Sequence, residues 1–166
     1  MYRILVSRVT VLFLALVLVA ELGFATPSSA AAFISGSLSE ILSIRKGKPL
    51  MVVLWSIDCP SCLHELGLLK KIRQKYKNSD FVLISTDDIS LQSEIREVLE
   101  RRGLGDIESW AFADGNAQRL RYEIDPQWYG EIPRTYFYDA EHNRVSLSGT
   151  LTAQHIDAWL KTVSPK

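Results

Sequence analysis

An unbroken apolar run, Leu50-Met51-Val52-Val53-Leu54-Trp55, opens the regularly patterned part of the chain. With no polar alternation, it predicts a strand covered on both faces, as in the middle of a mixed sheet. The period then changes. Between Pro60 and Lys77, Leu63, Leu66, Leu69 and Ile72 recur at helical spacing, and Lys70, Lys71, Arg73 and Lys75 mark a solvated face. Pro60 suits a first helical turn, where its missing N–H costs nothing. Phe81–Ser85 predicts a second strand and Thr86–Asp88 a loop. Ser90–Arg102 predicts an amphipathic helix stopped at Gly103. A short strand at 109–113, a helix at 117–122 and an irregular stretch at 125–131 follow. Thr135–Tyr138 and Arg144–Ser148 flank a hairpin turn at 139–143, and a helix at 152–163 closes the chain. Near the start, Ser37–Leu42 predicts a short helix, with Ser37 as its cap and Glu40 three residues on. Helices alternating with strands, then a terminal hairpin and helix, predict an α/β fold: a mixed central sheet flanked by helices.

Composition narrows the partners. The chain has 166 residues, 47% of them apolar, enough for one domain whose core needs no disulfide staples. Its 19 basic and 19 acidic residues are interspersed, with no basic stripe of the kind that holds nucleic acid.

The first 32 residues read as an address. Arg3 and Arg8 precede an apolar stretch, Val9–Ala20, and small residues run from Thr26 to Ala32. This is the pattern of a signal peptide over 1–32, cleaved in the Ala30–Ala32 cluster in preference to Ala25, with the domain at 33–166. An uncleaved membrane anchor is the alternative. A spanning helix takes about 20 apolar residues, and Glu21 ends this run early. Either way the domain is expected in the periplasm or otherwise outside the cytoplasm, free or tethered.

Cys59 and Cys62 are the only cysteines, and they lie where the first strand gives way to its helix. A zinc site wants a second pair. A structural disulfide across so small a loop removes little entropy from the unfolded chain. The pair is better suited to being opened and closed.

Three segments resemble thioredoxin-fold proteins, and more closely the exported thiol–disulfide oxidoreductases of the TlpA/ResA-like kind, over residues 37–163. They are Val53-Leu54-Trp55 running into Cys59-Pro60-Ser61-Cys62 with Glu65 beyond, the stretch from Gly130 to Asp139, and the hairpin with Gly149 and the last helix. The resemblance implies a thioredoxin-like fold and exchange with protein thiols and disulfides. It implies no metal and no cofactor beyond a redox-active Cys59–Cys62 disulfide. It also implies a membrane-bound electron donor, and clients such as the cysteines of apocytochrome c during cytochrome c maturation. Pro133 falls where the family carries a cis-proline against the disulfide. Ile132 before it then turns its backbone outward to pair with an extended client segment.

The residues themselves suggest roles. Positions three apart in a first helical turn share a face, at a Cα separation suited to a disulfide. A helix N-terminus favours a thiolate, so Cys59 is the expected nucleophile and Cys62 the resolving thiol. Trp55 is expected to pack beneath them. Asp58 stands where many relatives have Trp; its charge either raises the Cys59 pKa or is simply solvated. Val53 replaces the buried acid that thioredoxin carries six residues before its first cysteine. Glu131, Asp87 and Asp88 are therefore candidates to move the Cys62 proton. Pro60-Ser61 does not set direction, so a disulfide oxidase or isomerase stands beside the reductase. A copper chaperone using Cys59, Cys62 and a distant histidine such as His142 is a third reading. Trp128 and Tyr129 are expected to pack under their loop rather than to meet partners.

Overall fold

The computed structural model describes residues 29–76 and 80–163. Of the address and anchor readings over 1–32, residues 1–28 lie outside the described residues, as does Lys77 at the end of the expected helix.

The Leu50–Trp55 run forms β2, buried at all six positions. It sits inside a six-stranded sheet of order β1-β4-β3-β2-β5-β6, built from β1 (Ala31–Phe33), β3 (Phe81–Asp88), β4 (Ser109–Phe112), β5 (Arg134–Tyr138) and β6 (Arg144–Ser148). β2 pairs with β3 in parallel and with β5 antiparallel, and the hairpin adds β6. One face buries Met51, Val53 and Trp55 against α2 (Pro60–Lys75), α3 (Gln92–Arg101) and α5 (Ala153–Val163), through Leu66, Leu69, Ile95, Ile156 and Trp159. The other buries Leu50, Val52 and Leu54 against α1 (Ser37–Ser43) and α4 (Ala117–Ile124), with Trp128 and Tyr136. Both faces of β2 are therefore covered, which is why its sequence carries no alternation.

Three local expectations are corrected, and one strand is added. Ser37 does not cap α1: Gly36 occupies the N-cap in the left-handed region (φ 86), and the Ser37 hydroxyl accepts the Ile34 N–H instead. Thr86–Asp88 is the end of β3 rather than a loop. The helix expected from Ser90 starts as a 3-10 turn at Ile89–Leu91, with Asp88 accepting the Ser90 N–H. β1 was not expected at all. It pairs in parallel with β4 from Ala31 opposite Trp110 to Phe33 opposite Phe112, and the Ala113 N–H reaches the Phe33 carbonyl. The boundary at 32/33 thus falls inside a strand, and Ala30 ahead of it is buried too.

Gly103 ends α3 as expected, at φ 68, a conformation that costs glycine little.

Candidate active site

The site lies where β2 ends. Its last residues pair with β5 so that Leu54 faces Arg134. This brings the segment just ahead of β5, Ile132-Pro133, to the end of β2 from which the cysteine loop departs. The Ile132–Pro133 bond is cis, and Pro133 is buried.

Cys59 and Cys62 are bonded, with Cα atoms 5.2 Å apart. Cys59 is the N-cap of α2 and Pro60 its first residue. The Cys62 N–H points at the Cys59 sulfur at 3.1 Å, and the Ser61 hydroxyl lies 3.4 Å from the same atom. The Cys62 N–H is one of the unpaired backbone donors of a helix start. Cys59 is partly exposed, whereas Cys62 is 1% exposed. Trp55 is fully buried in the same cluster as Cys62. Asp58 and Pro60 are exposed.

The loop before Cys59 is held by Asp87. Its carboxylate accepts the Ser56 hydroxyl at 2.7 Å, the Ile57 N–H at 2.9 Å and the Ser85 hydroxyl at 2.5 Å. Ser56 in turn accepts the Asp58 N–H at 3.2 Å. Asp87 is thus a brace on the cysteine loop, spent on fixed donors. Asp88 is used up at the 3-10 turn.

Glu131 is also committed. Its carboxylate meets Arg134 at 3.2 Å and accepts the Ser148 hydroxyl at 2.8 Å. Partial burial pushes its pKa up, but the Ser148 bond and the Arg134 charge outweigh that and hold it below the usual range. An acid kept ionised in this way is a poor proton carrier. Beneath it, Asp125 pairs with Arg134 at 3.1 Å and Arg144 at 2.9 Å, and accepts the Tyr136 hydroxyl at 3.0 Å.

A further acid, with no role assigned from the sequence, is Glu65. It lies one helical turn past Cys62 on α2 and is 1% exposed. Burial raises its pKa to about 7; the Leu151 N–H, 2.7 Å from Oε2, and the nearby Thr135 hydroxyl act the other way. Oε1 makes no hydrogen bond. Its place on the apolar face formed by Cys62, Leu66, Leu69 and Ile72 was the available signal.

None of the three histidines joins the cysteines in a metal-ligating group among the described residues. His64 and His155 are exposed. His142 sits in the turn at the opposite end of β5, about 17 Å of strand from Pro133 at ordinary rise, with its ring on the Arg45 carbonyl. It is not brought to the cysteines, so the copper reading lacks the third ligand it invoked. Among the described residues no group of three or more His, Cys, Asp or Glu is placed to hold a metal.

No family model and no curated protein matches the chain. Solved structures do. A secreted Mycobacterium tuberculosis disulfide oxidoreductase homologous to E. coli DsbE is 18% identical over 72% of this chain and 85% of its own, at a TM-score of 0.58. A thioredoxin-family thiol:disulfide interchange protein from Chlorobium tepidum is 18% identical over 84% and 97%, at 0.59. StoA from Bacillus subtilis is 16% identical over 69% and 83%, at 0.52. At these identities the likeness carries the fold, which is thioredoxin-like.

Proposed function

We propose that this chain is an exported thiol–disulfide oxidoreductase that reduces protein disulfides. The observation that carries the reading is the Cys59–Cys62 disulfide at the start of α2, one sulfur accessible and the other buried, beside Ile132-Pro133.

In the reduced enzyme the helix N-terminus and the Cys62 N–H favour a Cys59 thiolate. That thiolate attacks a client sulfur. A Cys59–client bond forms, the client S–S bond breaks, and one client sulfur leaves as thiolate and takes up a proton. Cys62 then loses its proton and attacks the Cys59 sulfur. The intramolecular disulfide re-forms and the second client thiol departs. Two electrons pass from the enzyme dithiol to the client. Glu65, with a pKa of about 7 and a place one turn from Cys62, is the group suited to take the Cys62 proton. It replaces Glu131, Asp87 and Asp88 in that role. An extended client segment would lie along Ile132, whose backbone precedes the paired part of β5.

The reducing direction rests on charge. An ionised, buried Glu65 opposes a thiolate at Cys62, and Asp58, exposed and therefore screened, adds a weaker opposition at Cys59. Both destabilise the reduced dithiolate and so lower the potential. A reductase outside the cytoplasm needs a membrane-bound dithiol donor to re-reduce Cys59–Cys62, and a restricted client set such as apocytochrome c cysteines. No organic cofactor or metal enters this cycle. The test is a redox titration together with insulin reduction: a potential well below that of a strong oxidant, roughly −120 mV, and turnover lost in Cys59→Ser. A potential at the oxidant value would leave an oxidase.

Export is supported by the basic and apolar start of the sequence and by the secreted structural neighbour. Because β1 uses Ala31–Phe33 and the core uses Ala30, a mature chain that keeps its sheet is cleaved upstream of them, after Ala25. Gly23-Phe24-Ala25 has the small residues that cleavage requires.

A further inference from the structure

Trp128 and Tyr129 are neighbours of similar chemistry that the fold uses in opposite ways. Trp128 is 3% exposed and packs in the core beneath β2 and β5. Its backbone N–H reaches the Asp125 carbonyl at 2.9 Å, and its indole N–H donates to the Glu131 carbonyl at 2.8 Å. Tyr129 is 93% exposed, more than any other large apolar side chain among the described residues. No hydrogen bond or ring contact engages its side chain among those residues.

The loop that carries Tyr129 is nevertheless fixed on both sides. Asp125 accepts the Gln127 N–H at 3.1 Å, and the Glu131 carboxylate is held by Arg134 and Ser148. A tyrosine on such a loop has few torsions left to order when it makes a contact. The loop then runs straight into Ile132-Pro133, at the end of β2 that leads to Cys59. Tyr129 is three residues from Ile132, at most about 10 Å of backbone, which is within reach of the residues flanking the cysteine of a polypeptide laid along Ile132. A small disulfide engages Cys59 without extending so far.

We infer that Tyr129 is a client-contact residue: its ring receives an apolar side chain beside the attacked cysteine, adding affinity for polypeptide disulfides and none for small ones. The inference rests on the oxidoreductase reading above. It assigns a specificity role to a residue outside the exchange chemistry.

The test uses the pre-reduced full chain with two probes, insulin and glutathione disulfide. Tyr129→Ala is expected to lower the second-order rate constant for insulin by about fivefold or more, the loss typical of an interface anchor, and to leave the glutathione disulfide rate unchanged. Tyr129→Phe, which keeps the ring, is expected to match the wild type on both. An unchanged insulin rate in Tyr129→Ala overturns the inference. So does an equal fall on both probes, which would mean a disturbed site. If the wild type reduces neither probe, the oxidoreductase reading itself fails.

Discussion

The Glu65 carboxylate and the Leu151 amide, 86 residues apart in sequence, meet in a buried hydrogen bond of 2.7 Å. The bond ties α2, one turn past Cys62, to the segment that leads into α5. It also leaves an acid in the core with a pKa raised from 4.5 to about 7 by burial. Over that interval the folded chain keeps a proton that the unfolded chain has released, so stability falls as pH rises through the interval. The oxidised protein is expected to lose up to about 3 kcal/mol between roughly pH 4.5 and 7, and Glu65→Gln to remove most of that slope. Denaturant unfolding of both proteins across this window is the check. Equal slopes would mean that Glu65 is not the titrating group.

Glu65→Gln also bears on the chemistry. Without an acceptor for the Cys62 proton, the mixed disulfide should resolve more slowly, by about tenfold or more, while the first attack by Cys59 is little changed. Quenched-flow mass analysis separates the two steps. A slowed first attack with normal resolution would assign Glu65 elsewhere.

Asp87 braces the cysteine loop through Ser56, Ile57 and Ser85. Asp87→Ala is expected to cost about 2 kcal/mol, the scale of hydrogen bonds to a charged acceptor. It should slow exchange with protein and small disulfides alike, because it displaces Cys59 itself. Stability with both rates intact would show that the loop does not need the brace.

Much of this was legible in the sequence, and the remainder was hidden for identifiable reasons. The Leu50–Trp55 run and the cysteine helix announce themselves because their period and capping residues agree. β1 does not: Ala-Ala-Phe is short, and its small residues look like a processing site. Glu65 reads as one more polar residue on a charged helix until the burial of Cys62, Leu66 and Leu69 shows which face it shares. Asp87 looked like a free loop acid because the end of β3 carries Ser-Thr-Asp-Asp rather than apolar residues. In a loop there is no period, so nothing in Trp128-Tyr129 says which ring turns inward.

Asp125 is the buried hub beneath the cis-proline segment. Burial pushes its carboxyl up, but the Gln127 N–H, the Tyr136 hydroxyl and the two arginines outweigh this and hold it below the ordinary value. Its contribution to stability is present above the unfolded pKa of 3.8 and is lost as pH falls through the depressed folded value. Asp125→Ala takes from the buried Arg134 its one buried carboxylate, leaving it the more exposed Glu131, and is expected to cost about 3 kcal/mol at neutral pH. The difference between the two proteins should shrink in acid. A constant difference would point to packing rather than charge.

Processing offers a test independent of redox chemistry. Intact mass and N-terminal sequencing of the exported protein are expected to give Thr26 as the first residue. A start at Ala31, Ala32 or Phe33 would contradict the role given to β1, and a retained Met1 would mean an uncleaved chain.

In the proposed cycle Cys59 attacks and Cys62 resolves. Reduced Cys62→Ala and Cys59→Ala variants, each incubated with insulin and mapped by peptide mass analysis, test it most directly. A lasting insulin adduct is expected on Cys59 in the first and little or none on Cys62 in the second. Equal adducts on both, or an adduct only on Cys62, would contradict it.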